Sequence, residues 1–192
     1  MKTFGKVMAG ALAAVMLFGS VVMVSAAVEI PSIKAGQNMP TEAVAEDGTA
    51  IAIEQYSAQS LKAELSASGA VQADANAIIA LNAGGATSQA VEAFIKALKG
   101  SSTAGAKELA SLLESGKYKA LTGFVNIKGA KGLVTMKVPA VGSYAKEDVL
   151  GVHFSTQRST WEAMEAVSLE EGDKVTFQFG DGSPFAVFVK VA

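Results

Sequence analysis

The 192-residue chain has no cysteine, one histidine, one tryptophan and four prolines. Without cysteine it forms no disulfide, offers no thiolate metal site, and cannot be lipid-anchored at a cysteine after export. With His153 as its one histidine, a histidine-rich metal centre is excluded. Any serine–histidine–acid triad would have to be built around that residue, and nothing in the sequence marks a nucleophile elbow. An excess of either charge is also missing: 16 Lys and Arg stand against 18 Asp and Glu, a net −2. That balance argues against nucleic acid and against anionic membrane surfaces as partners. Past the N-terminal region, no apolar run reaches the roughly 20 residues that span a bilayer. No repeat is regular enough for a solenoid.

What is present begins with a targeting pattern. Lys2 and Lys6 precede the apolar stretch Val7 to Val24, which ends in Ser25-Ala26-Ala27. A charged start, an apolar centre and small residues at a cleavage point are the marks of a secretory signal. Val24-Ser25-Ala26 places the cut after Ala26, so residues 1–26 are expected to be removed and the rest secreted. The alternative is an uncleaved N-terminal anchor, which exports the remainder equally. Loss of Lys2 and Lys6 leaves 14 basic against 18 acidic residues. An exported domain of about 166 residues without disulfides must be held by its hydrophobic core.

Residues 27–56 read as an extended lead-in, with Pro31, Pro40 and scattered charges; Thr49 to Tyr56 alternates briefly, as a short strand would. Residues 57–116 shift to alanine, leucine, lysine and glutamate. Between Thr87 and Lys99, Val91, Phe94, Ile95 and Leu98 recur at helical spacing, with Thr87 or Ser88 to cap the start and Gly100 to close the end. Ser102 to Ser115 repeats the pattern with Leu109, Leu112 and Leu113, and Ser60–Ala67 and Ala73–Leu81 are shorter candidates.

From residue 117 to 192 the period falls to two. Expected strands are Leu121–Lys128, Leu133–Val138, Val149–Ser155, Trp161–Val167, Lys174–Phe179 and Phe185–Val191. The last two read as a hairpin: Val175, Phe177 and Phe179 share one face, Phe185, Val187, Val189 and Val191 share another, and Gly180-Asp181-Gly182-Ser183 supplies the turn. The fold expected is α+β, a short helical segment followed by an antiparallel β-sandwich.

Within Val149 to Val191, Trp161-Glu162, Val175-Thr176-Phe177 and Ser183-Pro184-Phe185-Ala186-Val187 resemble the C-terminal β-sandwich module of secreted and surface proteins of anaerobic Gram-positive bacteria. More distantly they are similar to the β-sandwiches of ankyrins and netrin receptors. The resemblance covers under a quarter of the chain. It implies a fold, and no common activity.

Other motifs carry less. Ser143-Tyr144-Ala145-Lys146 spells the Ser-x-x-Lys of penicillin-binding enzymes, but lies between strands and lacks its partner motifs. Gly100 to Lys107 imitates a phosphate loop, yet Ala106 separates Gly105 from Lys107 where the motif needs them adjacent. Glu162 and Glu165 are a carboxylate pair, but three residues apart on one strand they face opposite ways and read as solvated charges. Asp181 stands alone in its turn and cannot make a calcium loop. His153-Phe154-Ser155 resembles the tripeptide at which related-looking sandwiches of adhesion receptors cleave themselves; its place in a regular alternating run, with strands still to follow, predicts an intact chain. Trp161, Phe154 and Phe188 are the candidate ligand platform, set against a core role for the tryptophan.

The sequence therefore predicts no catalytic residue, no cofactor and no metal. It points to an exported, non-catalytic interaction module at the cell envelope with an unidentified protein or glycan partner. The alternative is a secreted hydrolase of envelope or dietary polymers, which would need a deep polar pocket with converging titratable groups.

Overall fold

The structure is a computed structural model that describes residues 39–67, 72–85, 87–182 and 184–191. The expected signal peptide, the first part of the lead-in and Ser183 lie outside the described residues.

Among the described residues, ten strands and four α-helices build an α+β fold in which every strand pairs antiparallel. The strands are β1 (Glu42–Ala45), β2 (Ile53–Gln55), β3 (Tyr118–Ala120), β4 (Val125–Ile127), β5 (Gly132–Lys137), β6 (Val149–Ser155), β7 (Thr160–Glu165), β8 (Ser168–Glu170), β9 (Lys174–Phe179) and β10 (Pro184–Lys190). The helices are α1 (Ala58–Ala67), α2 (Gln72–Gly84), α3 (Ser88–Gly100) and α4 (Ala106–Ser115). An outer sheet runs β1-β5-β9-β8. A central sheet runs β2-β4-β10-β6-β7, with β3 also on β10.

The central sheet is covered on both faces. In β10, Phe185, Val187 and Val189 join one core with Val134, Met136, Val175 and Phe177 of the outer sheet. Ala186 and Phe188 join a second core with Leu61, Ile78, Phe94, Leu98 and Leu109 of the helices. β6 divides in the same way: Leu150, Val152 and Phe154 meet the helices while Val149 meets the outer sheet. Period-two alternation here separates two apolar environments, which is why β6 is buried along its whole length. Gly151 is small because the Phe185 and Phe177 rings lie across it; a Cβ there would sit 2.7 Å and 3.1 Å from them.

The expected hairpin of β9 and β10 does not form. β9 belongs to the outer sheet and β10 to the central one. Their apolar faces meet across the core between the sheets, with Phe177 and Phe179 packing on Phe185 at ring-centroid distances of 5.2 Å and 5.0 Å. The Gly-Asp-Gly segment is thus a corner between sheets. Neither of its glycines has a positive φ. Gly182 is needed for space, since a Cβ would lie 2.2 Å from the Ile127 carbonyl oxygen and 2.6 Å from the Ala130 nitrogen.

The expected strand Leu121–Lys128 is split into β3 and β4. Between them Thr122 turns inward and its hydroxyl accepts from the Val187 N–H at 2.8 Å. Phe124 swings to the helical side. Its N–H donates to Asn82 Oδ1 at 2.7 Å and its carbonyl accepts from Asn82 Nδ2 at 3.0 Å. The buried side chain of Asn82, on α2, thereby stands in for the peptide of a neighbouring strand and staples the helices to the sheet.

The lead-in is also part of the fold. β1 pairs with β5 and β2 with β4, so each sheet takes a strand from ahead of the helices. In α3, Thr87 caps the start by accepting from the Ala90 N–H, and Val91, Phe94, Ile95 and Leu98 are buried. In α4 the buried stripe is Ala106, Leu109, Ala110 and Leu113, while Leu112, expected in the stripe, is 38% exposed.

Candidate functional site

Trp161, Phe154 and Phe188 do not form a surface platform. They are 3%, 0% and 0% exposed, because the helical layer covers the sheet face that carries them. A sugar needs an open ring face, and the Trp161 ring is enclosed by Phe94, Phe124 and Phe154 at 5.6, 5.9 and 5.3 Å. Its indole N–H donates to Asp74 Oδ1 at 2.9 Å. Asp74, buried on α2, also accepts from the hydroxyls of Ser101 and Thr103. The apparent phosphate loop is therefore the α3–α4 connection, docked on Asp74. Its Ala104 carbonyl accepts from the Trp161 N–H at 2.9 Å. Gly105 takes a left-handed φ of 75° there, and a Cβ would meet the Trp161 carbonyl.

Residues expected to be unrelated do come together at the sheet corner. His153 on β6 is fully buried and faces the Phe179 ring. Its Nδ1 lies 3.5 Å from Glu162 Oε2 and its Nε2 3.5 Å from Asp181 Oδ1. Asp181, far from a lone turn carboxylate, is 5% exposed. Its Oδ2 accepts from the Ser155 hydroxyl at 3.1 Å and from the Gln157 N–H at 3.0 Å. Glu162 is not simply solvated either: Arg158 Nη2 donates to it at 2.8 Å. The Arg158 backbone N–H and Nε both donate to the Ser155 hydroxyl. Sequence reasoning could place His153 and Ser155 on one side of β6 from their spacing. Asp181 arrives through a long-range contact that no local pattern announces.

This constellation holds the residue types of a triad in the wrong order. A serine nucleophile needs histidine between hydroxyl and acid. Here the Asp181 carboxylate lies between Ser155 and His153, and these three side chains are closed to solvent. Burial holds the imidazole below its ordinary value of 6.5, against the pull of Asp181 and Glu162, so it is neutral at neutral pH. Ser143 and Lys146 lie exposed on separate short turns, Val141–Ser143 and Lys146–Asp148, so the Ser-x-x-Lys geometry is not built. Glu165 is exposed at the end of β7. Among the described residues, no group of three or more His, Asp or Glu side chains could hold a metal ion.

A hollow of about 760 Å³ lies where α3, α4 and β3 meet. Its floor is apolar: Val91 and Ile95 from α3, Leu113 from α4, then Tyr118 and Val191. Its rim is charged, with Lys96, Lys99, Lys117 and Lys119 against Glu92 and Glu114. Lys99 bonds both Glu114 oxygens at 2.9 and 2.8 Å. Lys117 holds a left-handed φ of 51°, and its carbonyl accepts from the Val191 N–H. A second hollow of about 500 Å³ shares Lys119 and Val191 and is also lined by Ser143, Tyr144, Asp148 and Lys190. Neither contains the histidine, so the hydroxyl of Ser88 in the first and that of Ser143 in the second have no imidazole to activate them.

No family model, no curated protein and no solved structure matches this chain.

Proposed function

We propose that this protein is an exported, non-catalytic interaction module of the cell envelope that binds a protein or glycan partner. One observation carries the reading: among the residues of hydrolase type, His153, Ser155 and Asp181 are buried together at the sheet corner with Glu162 at its edge, while the two hollows described above contain no nucleophile beside a histidine or carboxylate base that could activate it. Acid–base and nucleophilic catalysis both need the reacting groups in reach of substrate. The targeting pattern of residues 1–26 and the likeness of Val149 to Val191 to surface-protein modules support export and a binding role.

The test is a paired one on protein recovered from culture medium, whose N-terminus is expected at Ala27. Envelope extract and a glycan array are screened for retention, and the retained material is then assayed for release of sugars or peptides. Retention without turnover is the expected result. Sustained release that is abolished by Ser155→Ala or His153→Gln would replace this reading with a hydrolase.

A further inference from the structure

We propose that the hollow between α3, α4 and β3 is a binding site for an anionic amphiphile, a single apolar chain or ring system that ends in a carboxylate or phosphate. This goes beyond the reading above and does not depend on it. A volume of about 760 Å³ lies in the range of small-ligand sites, roughly 300–1,000 Å³, and below what a folded partner occupies. Five apolar or aromatic side chains from two helices and two strand ends converge on its floor, and Val191 remains 43% exposed. An apolar surface left open at a mouth is covered favourably by an apolar ligand.

The sign of the rim selects the head group. Lys99 and Glu114 neutralise each other. That leaves Lys96, Lys117 and Lys119 facing Glu92, in a chain whose overall charge is negative. The adjoining hollow adds Lys190 together with Asp148, its neighbour in the β6–β10 register, whose charge offsets it. Lys117 is fixed at the lip by its left-handed backbone and its bond from Val191. Lys119 is held over the Tyr144 ring at 5.4 Å. Lys96 and Lys117 are exposed and Lys119 is half-buried, so the lip offers an anion a local excess of positive charge at surface strength, with the apolar floor supplying the rest of the binding.

The experiment follows methyl resonances of Val91, Ile95, Leu113 and Val191 in the full chain. Residue-resolved shifts keep the apolar N-terminal run from imitating the site. Dodecanoate and dodecyl phosphate are titrated below their micellar concentrations, beside dodecanol and dodecyltrimethylammonium. Saturable shifts of these methyls are expected with both anions, which separates a carboxylate from a phosphate source by affinity. Binding should weaken about tenfold for the anions in Lys96→Glu/Lys119→Glu, with dodecanol unaffected. Val191→Asp, at an exposed position, should weaken every probe. The proposal is overturned if these methyls do not move, or if dodecanol or the ammonium probe binds as tightly as the anions. Either result leaves the interaction-module reading standing, and a failed envelope screen leaves this one standing.

Discussion

At the scale of single residues, the most consequential placement is His153 between two carboxylates inside the sheet corner. Its imidazole is held below 6.5 by burial, so the unfolded chain takes up this proton at a higher pH than the folded one. Stability from this residue is complete above about 6.5 and is lost as the pH falls toward the folded value. Urea midpoints compared at about pH 7.5 and about pH 5 should therefore fall with acid, and fall less in His153→Gln; an identical acid sensitivity in the variant would remove His153 from the account. Trp161 is the other residue with a large expected effect. Trp161→Ala empties an aromatic site and strips Asp74 of a donor, so the loss should be about 3–5 kcal/mol by urea titration. Trp161→Phe keeps most of the packing and should cost about 1–3 kcal/mol, chiefly the lost bond to Asp74. The core role of Trp161 was legible from its type and its strand. Its partner Asp74 was not, because the two are 87 positions apart and meet only when α2 packs on β7.

At the scale of elements, local periodicity located β5, β6, β9, β10 and α3 within a residue or so, since each carries an uninterrupted run of its period. It could not say which strands pair. β9 and β10 have hairpin alternation and hairpin turn residues, yet alternation is the same whether an apolar face meets a sheet neighbour or a facing sheet. The two glycines of the corner separate these cases experimentally. Gly182→Ala sets a Cβ against the backbone of Ile127, Gly129 and Ala130, which has no room to give, and should destabilise by about 1–3 kcal/mol. Gly180→Ala meets the mobile end of Arg158 at 2.9 Å and should leave the thermal midpoint nearly unchanged. Equal effects would mean that the corner is free to move. The split of β3 from β4 was hidden for a related reason: Leu121 to Lys128 has strand composition throughout, and the interruption is imposed by Asn82 from another element.

At the scale of the whole molecule, the division into lead-in, helical segment and β-module does not correspond to separate cores. Leu150, Val152, Phe154, Trp161 and Phe188 of the strands share one cluster with all four helices, and β1 and β2 complete the two sheets. The C-terminal strands carry turns of their own, but the central sheet has a second apolar face that the helices cover. A fragment spanning Tyr118–Ala192 should accordingly lack a cooperative thermal transition and aggregate, while the chain from Ala27 onward melts in one step. A fragment with a sharp transition of its own would show that the helices are dispensable. The staple between Asn82 and Phe124 gives this shared core a built-in clock. The Phe124 amide has no strand partner, so only the docked helical layer shields it from solvent. Its hydrogen should exchange in step with amides of α2 and slower than β-strand ends, and in Asn82→Ala it should exchange at the pace of local fraying. One backbone proton then reports, without any label, how often the helices lift from the sheet.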